Sequence, residues 1–224
     1  MLERLALPFL LIGLCTALMI VKDIIRHPHP LKVMNFIWPL TGLYMPFIGW
    51  LAWWYLGRQS SRPYSPFIRM HPARGKYSRW QPVFISTILS AAACVFSDII
   101  TLTIITLIHH YGREIAIPVQ ALLCLSLAFF TGLCLQFFAI RQDENVSSGR
   151  ALILSFKTET FPLLIYQLGV FFFMWLALKF VLNQQINPLL HVFWFMLQMA
   201  ILTGFIFCWP ANRFLIKRGL NPTV

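Results

Sequence analysis

The sequence predicts an all-α membrane protein, a polytopic bundle of six transmembrane helices forming one integral membrane domain over residues 1–224, with the N- and C-termini cytoplasmic. Three observations lead there. Hydrophobic residues make up 58% of the 224 positions, aromatic residues 16% and charged residues only 11%, with a mean hydropathy of +0.71. A soluble domain uses about a quarter charged residues to cover its surface. Apolar runs of about 20 residues, enough to cross roughly 30 Å of hydrocarbon at 1.5 Å per residue, recur six times. The basic residues are spread unequally over the segments between them. The same figures exclude disordered, collagen-like and disulfide-scaffold classes.

The six spans are 5–21, 34–56, 83–108, 115–140, 161–182 and 189–209. Span 5–21 follows MLER and has the outline of a signal peptide. No small-x-small cleavage site follows it, and Leu14 before Cys15 makes a poor lipoprotein site, so it reads as a retained helix. Trp53, Trp54, Tyr55, Trp80 and Trp209 fall at span ends, where an interfacial aromatic belt is expected. The remaining four spans are continuous apolar runs, each broken by one or a few polar residues.

Sorted by segment, Arg4 precedes the first span, and Lys22, Arg26 and Lys32 occupy the first loop. Six bases, Arg58, Arg62, Arg69, Arg74, Lys76 and Arg79, fill the loop 57–82. Arg113 follows the third span, Arg141, Arg150 and Lys157 lie in the fourth loop, Lys179 in the fifth, and Arg213, Lys217 and Arg218 in the tail. With six spans, 13 of the 18 bases share the side of the termini. The positive-inside rule makes that side cytoplasmic.

Loop 57–82 holds no acid, and its bases invite comparison with a nucleic-acid surface. No nucleic-acid motif accompanies it, and Pro63, Pro66 and Pro72 oppose a continuous helix. The favoured reading is a topology signal in contact with anionic lipid headgroups and no nucleic acid. All five cysteines lie inside spans without a CxxC pair, so they read as buried thiols rather than a disulfide framework.

One acid, Asp98, lies deep in a span, where an ionisable group costs at least ~2.5 kcal/mol and needs a partner or water. Ser90, Cys94, Asp98 and Thr101 are spaced by four, four and three and share one helix face, with Ala91 to Ala93 permitting close helix approach. The stripe suits an ion, proton or metal site, or equally an interhelical fastener. Lys157 and Glu159 enter the fifth span as charges at its cytoplasmic mouth. Gln136, Gln167 and Gln198 add one amide to each of three spans, as interhelical hydrogen bonding would use them. Under the six-span topology five histidines, His27, His29, His109, His110 and His191, share the outer side. Such a set would offer imidazoles to copper, zinc or haem; the plainer reading is interfacial histidine. No GxSxG, P-loop, HExxH or GxGxxG in context is present, so an enzyme is not expected.

Segments HPHPLKVMNFIWPLTGLYMPFIGWLAWWYLGR, GLCLQFFAIRQ, ALILSFKTET, YQLGVFFFMW and FWFMLQMAILTGFIFCWPANRFLIKRGL resemble the bacterial multi-pass membrane family catalogued as domain of unknown function 4396. The resemblance implies a third-span pattern His-Cys-Gly-x-Gly-Cys-x-x-Gly-Asp. Aligned on Asp98, the chain retains Cys94 and Asp98 but has Leu89, Ser90, Ala91, Ala93 and Ser97 at the other positions. A soft-metal or redox role implied by that pattern loses two ligands here. Lys157, Thr158 and Glu159 resemble the family's Lys-Ala-Asp. The expected function is an inner-membrane protein that binds or passes a small cation or proton. The alternatives are a non-transporting accessory subunit, with a protein partner or a second copy, and copper or haem binding at the outer histidines.

Overall fold

The computed structural model describes residues 2–29, 31–58, 80–113, 115–141, 146–182 and 190–218, and among them it is all helical. Five long helices carry the architecture: α1 (Leu2–Arg26), α4 (Gln81–His110), α5 (Ile117–Arg141), α6 (Ser148–Phe180) and α7 (His191–Lys217). Each is long and apolar enough to cross a bilayer. Between α1 and α4 lie two short pieces, α2 (Met34–Tyr44) and α3 (Ile48–Ala52), the latter running into a single wide π turn over Trp53–Gly57.

The sense of each helix follows from its partners. Phe9 packs on Phe195 at 5.5 Å and Gly13 lies against Gln198, so α1 and α7 run parallel. Thr87 meets Asn212 while Ser90 lies beside Cys208, so α4 and α7 are antiparallel. Asp98 meets Cys124, Gly132 meets Glu159, and Tyr166 bonds Ile201, which sets α5, α6 and α7 alternately down and up. One end of the bundle therefore gathers the C-termini of α1, α5 and α7 with the N-termini of α4 and α6. The opposite end gathers the remaining termini.

Segment 34–57 departs from the expected second span. It enters from the C-terminal end of α1 and returns to that same end. Descending, α2 places Gly42 against Ala17 and Ile20 of α1, and the Leu43 carbonyl near Gly13. The chain then reverses at Pro46 and Phe47, where Ile48 N–H donates to the Pro46 carbonyl at 2.7 Å and Phe47 has φ 63°, the rare γ-turn geometry. Ascending, Gly49 sits against Gly42, Trp53 packs on Trp38 at 5.6 Å, and Trp53 Nε1 reaches Asp23 Oδ2 at 2.8 Å. Arg58 lies 3.9 Å from the same carboxylate, and Tyr55 stacks on Trp80 at the start of α4. The physical reason is local: Pro46 withholds an N–H from the helical ladder, and small Gly42 and Gly49 let the two limbs touch.

Two corrections follow. Among the described residues five helices rather than six are long and apolar enough to cross a membrane, segment 34–57 folds as a hairpin, and the start of α1 and the end of α7 lie at opposite ends of the bundle rather than together. The count of bases sharpens accordingly. Of the 13 described bases, Lys22, Arg26, Lys32, Arg58, Arg141, Arg150, Lys157, Arg213, Lys217 and Arg218 lie at or toward one end, and Arg4, Arg113 and Lys179 at the other. The other five bases of loop 57–82 lie outside the described residues, in a segment whose flanks, Arg58 and Trp80, both sit at the basic end.

Small residues hold α6 to α7. A Cβ on Gly169 would lie 2.9 Å from the Gly204 Cα, and one on Gly204 would lie 2.8 Å from both Tyr166 and Val170. Such close backbone approach is how helices associate where lipid is as apolar as the interface.

Candidate functional site

α4 organises the interior because its polar residues fall at helical spacing on the face turned toward α5, α6 and α7. Ser86, Thr87, Ser90, Cys94, Asp98 and Thr101 are all buried, and Ala91 to Ala93 are fully covered by neighbours. From Ser86 to Thr101 the face extends about 22 Å at 1.5 Å per residue.

At the basic end, Asn212 of α7 closes the file. It accepts the Ser86 hydroxyl at 2.9 Å and donates Nδ2 to Thr87 Oγ1 and Cys208 Sγ, both at 3.1 Å. One turn deeper, Ser90 stands beside both Glu159 and Cys208, whose thiol donates to the Pro162 carbonyl at 3.4 Å. Deeper again, the Cys94 thiol donates to Gln167 Oε1 at 3.2 Å, and Gln167 Nε2 reaches Cys124 Sγ at 3.5 Å. The Cys124 thiol then donates to Asp98 Oδ1 at 2.8 Å. Thr101 continues the stripe toward the far end, where Gln120 donates to the Ile115 carbonyl at 2.7 Å. The result is a buried polar file along most of the bundle's length.

The file is incompletely satisfied. Asp98 Oδ2, Glu159 Oε1, Ser90 Oγ, Thr101 Oγ1, Gln120 Oε1 and the Tyr44 hydroxyl are buried without a hydrogen-bond partner. Each such group, left unpaired in an apolar interior, costs about 1–3 kcal/mol. Among the described residues, neither Asp98 nor Glu159 forms an ion pair.

Of the sequence-derived candidates, the structure joins Ser90, Cys94, Asp98 and Thr101 as one face. Lys157 and Glu159 separate. Helix α6 starts at Ser148, well before the expected boundary at 161, so both lie inside a helix and two positions apart they point in nearly opposite directions. Lys157 is exposed, whereas Glu159 is 2% exposed and faces the core rather than a mouth.

The five histidines divide. His27 and His29 lie at the basic end with the hairpin, and His109, His110 and His191 at the other. Among the described residues no three His, Cys, Asp or Glu gather in a way that could hold a metal ion. His27 pairs with Asp23 at 3.4 Å. His29 is structural: its backbone N–H and carbonyl are both held by the Asn35 side chain, and Nδ1 accepts the Leu31 N–H at 3.1 Å. Burial pushes its pKa down to about 4.

Sequence reasoning missed Tyr44, Cys124, Cys208 and Asn212 as members of the file. Cys124, Cys208 and Asn212 find partners on other helices 26 to 126 positions away, which no local spacing signals, although Asn212 also meets Cys208 four positions before it on α7. Asn212, a polar amide in an apolar helix, was the one legible hint.

Residues 79–221 match the family model described as Domain of unknown function (DUF4396). The chain belongs to this family. The match covers α4 to α7 and hence most of the polar file, while α1 and the hairpin lie outside it. No curated protein and no solved structure matches the chain.

Proposed function

We propose that this family member is a bacterial inner-membrane protein that binds and passes protons through its helix bundle, with Asp98 as the central carrier. One observation supports this above the others. Asp98 lies near mid-depth, buried, with one oxygen engaged by the Cys124 thiol and the other without a partner, on a file that extends toward both ends. A carboxyl group in hydrocarbon is expensive and marks a proton or ion pathway by default. A proton suits the donors better than a metal ion, because hydroxyls, thiols and amides dominate and the described acids and thiols form no coordinating cluster.

The basic end is assigned to the cytoplasm by the positive-inside rule, which places the N-terminal end of α1 outside. Bases there, with Trp50 and Trp54 among them, meet anionic headgroups. The chain carries no enzymatic role in this reading. An accessory role without transport is the second reading, favoured by Gln167, which ties Cys94 to Cys124 as a fastener would. Purified chain in proteoliposomes with an internal pH dye separates the two. Dissipation of an imposed pH gradient that is lost in Asp98→Asn supports transfer; flux equal to that of empty vesicles leaves the fastener.

A further inference from the structure

We infer that Glu159 is a second proton-binding site of this chain, a loading station about two and a half to three helical turns inside the basic end that exchanges protons with Asp98 along the α4 face. The inference rests on the proton reading of Asp98 and deepens it.

The site is built from four elements. Helix α6 presents Glu159 inward at 2% exposure, on the face that also carries buried Ser155, Thr158 and Pro162. Helix α4 brings Ser90, fully covered, and α7 brings Cys208. Helix α5 contributes an absence of side chain. A Cβ on Gly132 would stand 3.3 Å from Glu159 Cγ and 3.4 Å from Oε1, and 2.5 Å from Leu163 Cδ1. Gly132 is thus the space into which the acid fits. Oε1 and the Ser90 hydroxyl lie side by side, close enough to interact, and neither completes a well-formed hydrogen bond. A buried acid with an open oxygen beside an open hydroxyl is what a proton acceptor in exchange with a chain requires.

Among the described residues, the groups facing Glu159 carry no compensating charge. From α4 they are Ser90 and Cys94, from α7 Cys208, and from α5 Gly132; Tyr44 of the hairpin approaches the same thiols. No lysine, arginine or histidine is among them. The acid's charge is therefore balanced by a proton.

Transfer is conservative. Protonated Glu159 releases H⁺ to Ser90 Oγ as the Ser90 hydroxyl proton moves on, and ionised Asp98 ends protonated while Glu159 ends ionised. No electrons move. Ser90, Cys94 and Asp98 stand one turn apart, about 6 Å each at 1.5 Å per residue, so a step spans a side-chain length or one water.

The test is pH-titrated infrared difference spectroscopy of the reconstituted full chain, with flux measured on the same vesicles. The wild type is expected to show two titrating buried carboxyl signals. Glu159→Gln removes one, leaves that of Asp98, and slows proton flux at least tenfold; Glu159→Asp restores both signal and flux in part. A Glu159→Gln variant that folds, keeps both signals or keeps wild-type flux overturns the inference. If Glu159→Gln misfolds, Gly132→Ala serves: it is expected to shift the Glu159 signal and spare that of Asp98, and an unshifted signal overturns the site. Two titrating signals in vesicles that show no flux retain Glu159 as a proton site and refute transfer instead.

Discussion

If segment 34–57 folds back rather than crossing, positions 4 and 218 must face opposite compartments. The lengths decide this. Helix α2 has 11 residues and descends about 16 Å at 1.5 Å per residue, barely half of a ~30 Å hydrocarbon core, before Pro46 and Phe47 reverse it. The returning limb, 48–57, brings Trp53 back to Asp23 and Arg58 to the same carboxylate. To complete a crossing instead, the limbs would have to give up the Trp53–Asp23 bond, the Trp38–Trp53 contact and the Gly42–Gly49 apposition together. The perturbation is Arg4→Cys and, separately, Arg218→Cys, both exposed positions, in a background with Cys15 and Cys134 replaced by Ala. Cys94, Cys124 and Cys208 are buried and should not react. Labelling with a membrane-impermeant maleimide is done on sealed right-side-out and inverted vesicles. Arg4→Cys should label at least tenfold better in right-side-out vesicles and Arg218→Cys at least tenfold better in inverted ones. Equal sidedness of the two would restore six crossings and refute the hairpin.

Other predictions follow from the packing. Gly204→Ala places a methyl within 2.9 Å of the Tyr166 carbonyl, which cannot rotate away, and should cost about 1–3 kcal/mol in detergent unfolding; Gly149→Ala, with nothing within 4 Å, should be neutral or stabilising. Asn212→Ala removes three interhelical or inter-turn hydrogen bonds at roughly 0.6 kcal/mol each, so a loss near 2 kcal/mol is expected in the same assay. The His29 pKa is depressed from 6.5 to about 4, so the folded state prefers neutral imidazole. That contribution is intact above pH 6.5 and is lost as pH falls through 6.5 toward 4; His29→Gln should flatten this part of the stability profile, measured by unfolding at pH 7, 5.5 and 4.

The fold was largely legible wherever a continuous apolar run equals a helix, as for α4, α5 and α7. It was misread at 34–56 because hydropathy counts apolar residues and does not register a backbone reversal. The clues were Pro46 and the small Gly42 and Gly49, each common in membrane helices. The hairpin brings His27 and His29 to the end of the bundle opposite His109, His110 and His191, and the start of α1 to the end opposite that of α7. The α4 face was legible since Ser90, Cys94, Asp98 and Thr101 are neighbours by helical period. Gln167 was legible as an interhelical amide, but completion of the face by Cys124, Cys208 and Asn212 was hidden, because contacts between helices depend on which helices pack and at what height. Glu159 reads from hydropathy as a mouth residue because the apolar run starts at 161, whereas the helix starts at Ser148 and carries Glu159 inward.

A proton pathway along the buried file has to pass through Asp98. The direct measurement is decay of an imposed pH gradient in proteoliposomes holding wild type or Asp98→Asn at matched protein content. Loss of at least nine-tenths of the protein-dependent decay in Asp98→Asn, with unchanged folding, is the predicted result; protein-dependent decay equal to wild type would contradict a proton pathway through Asp98.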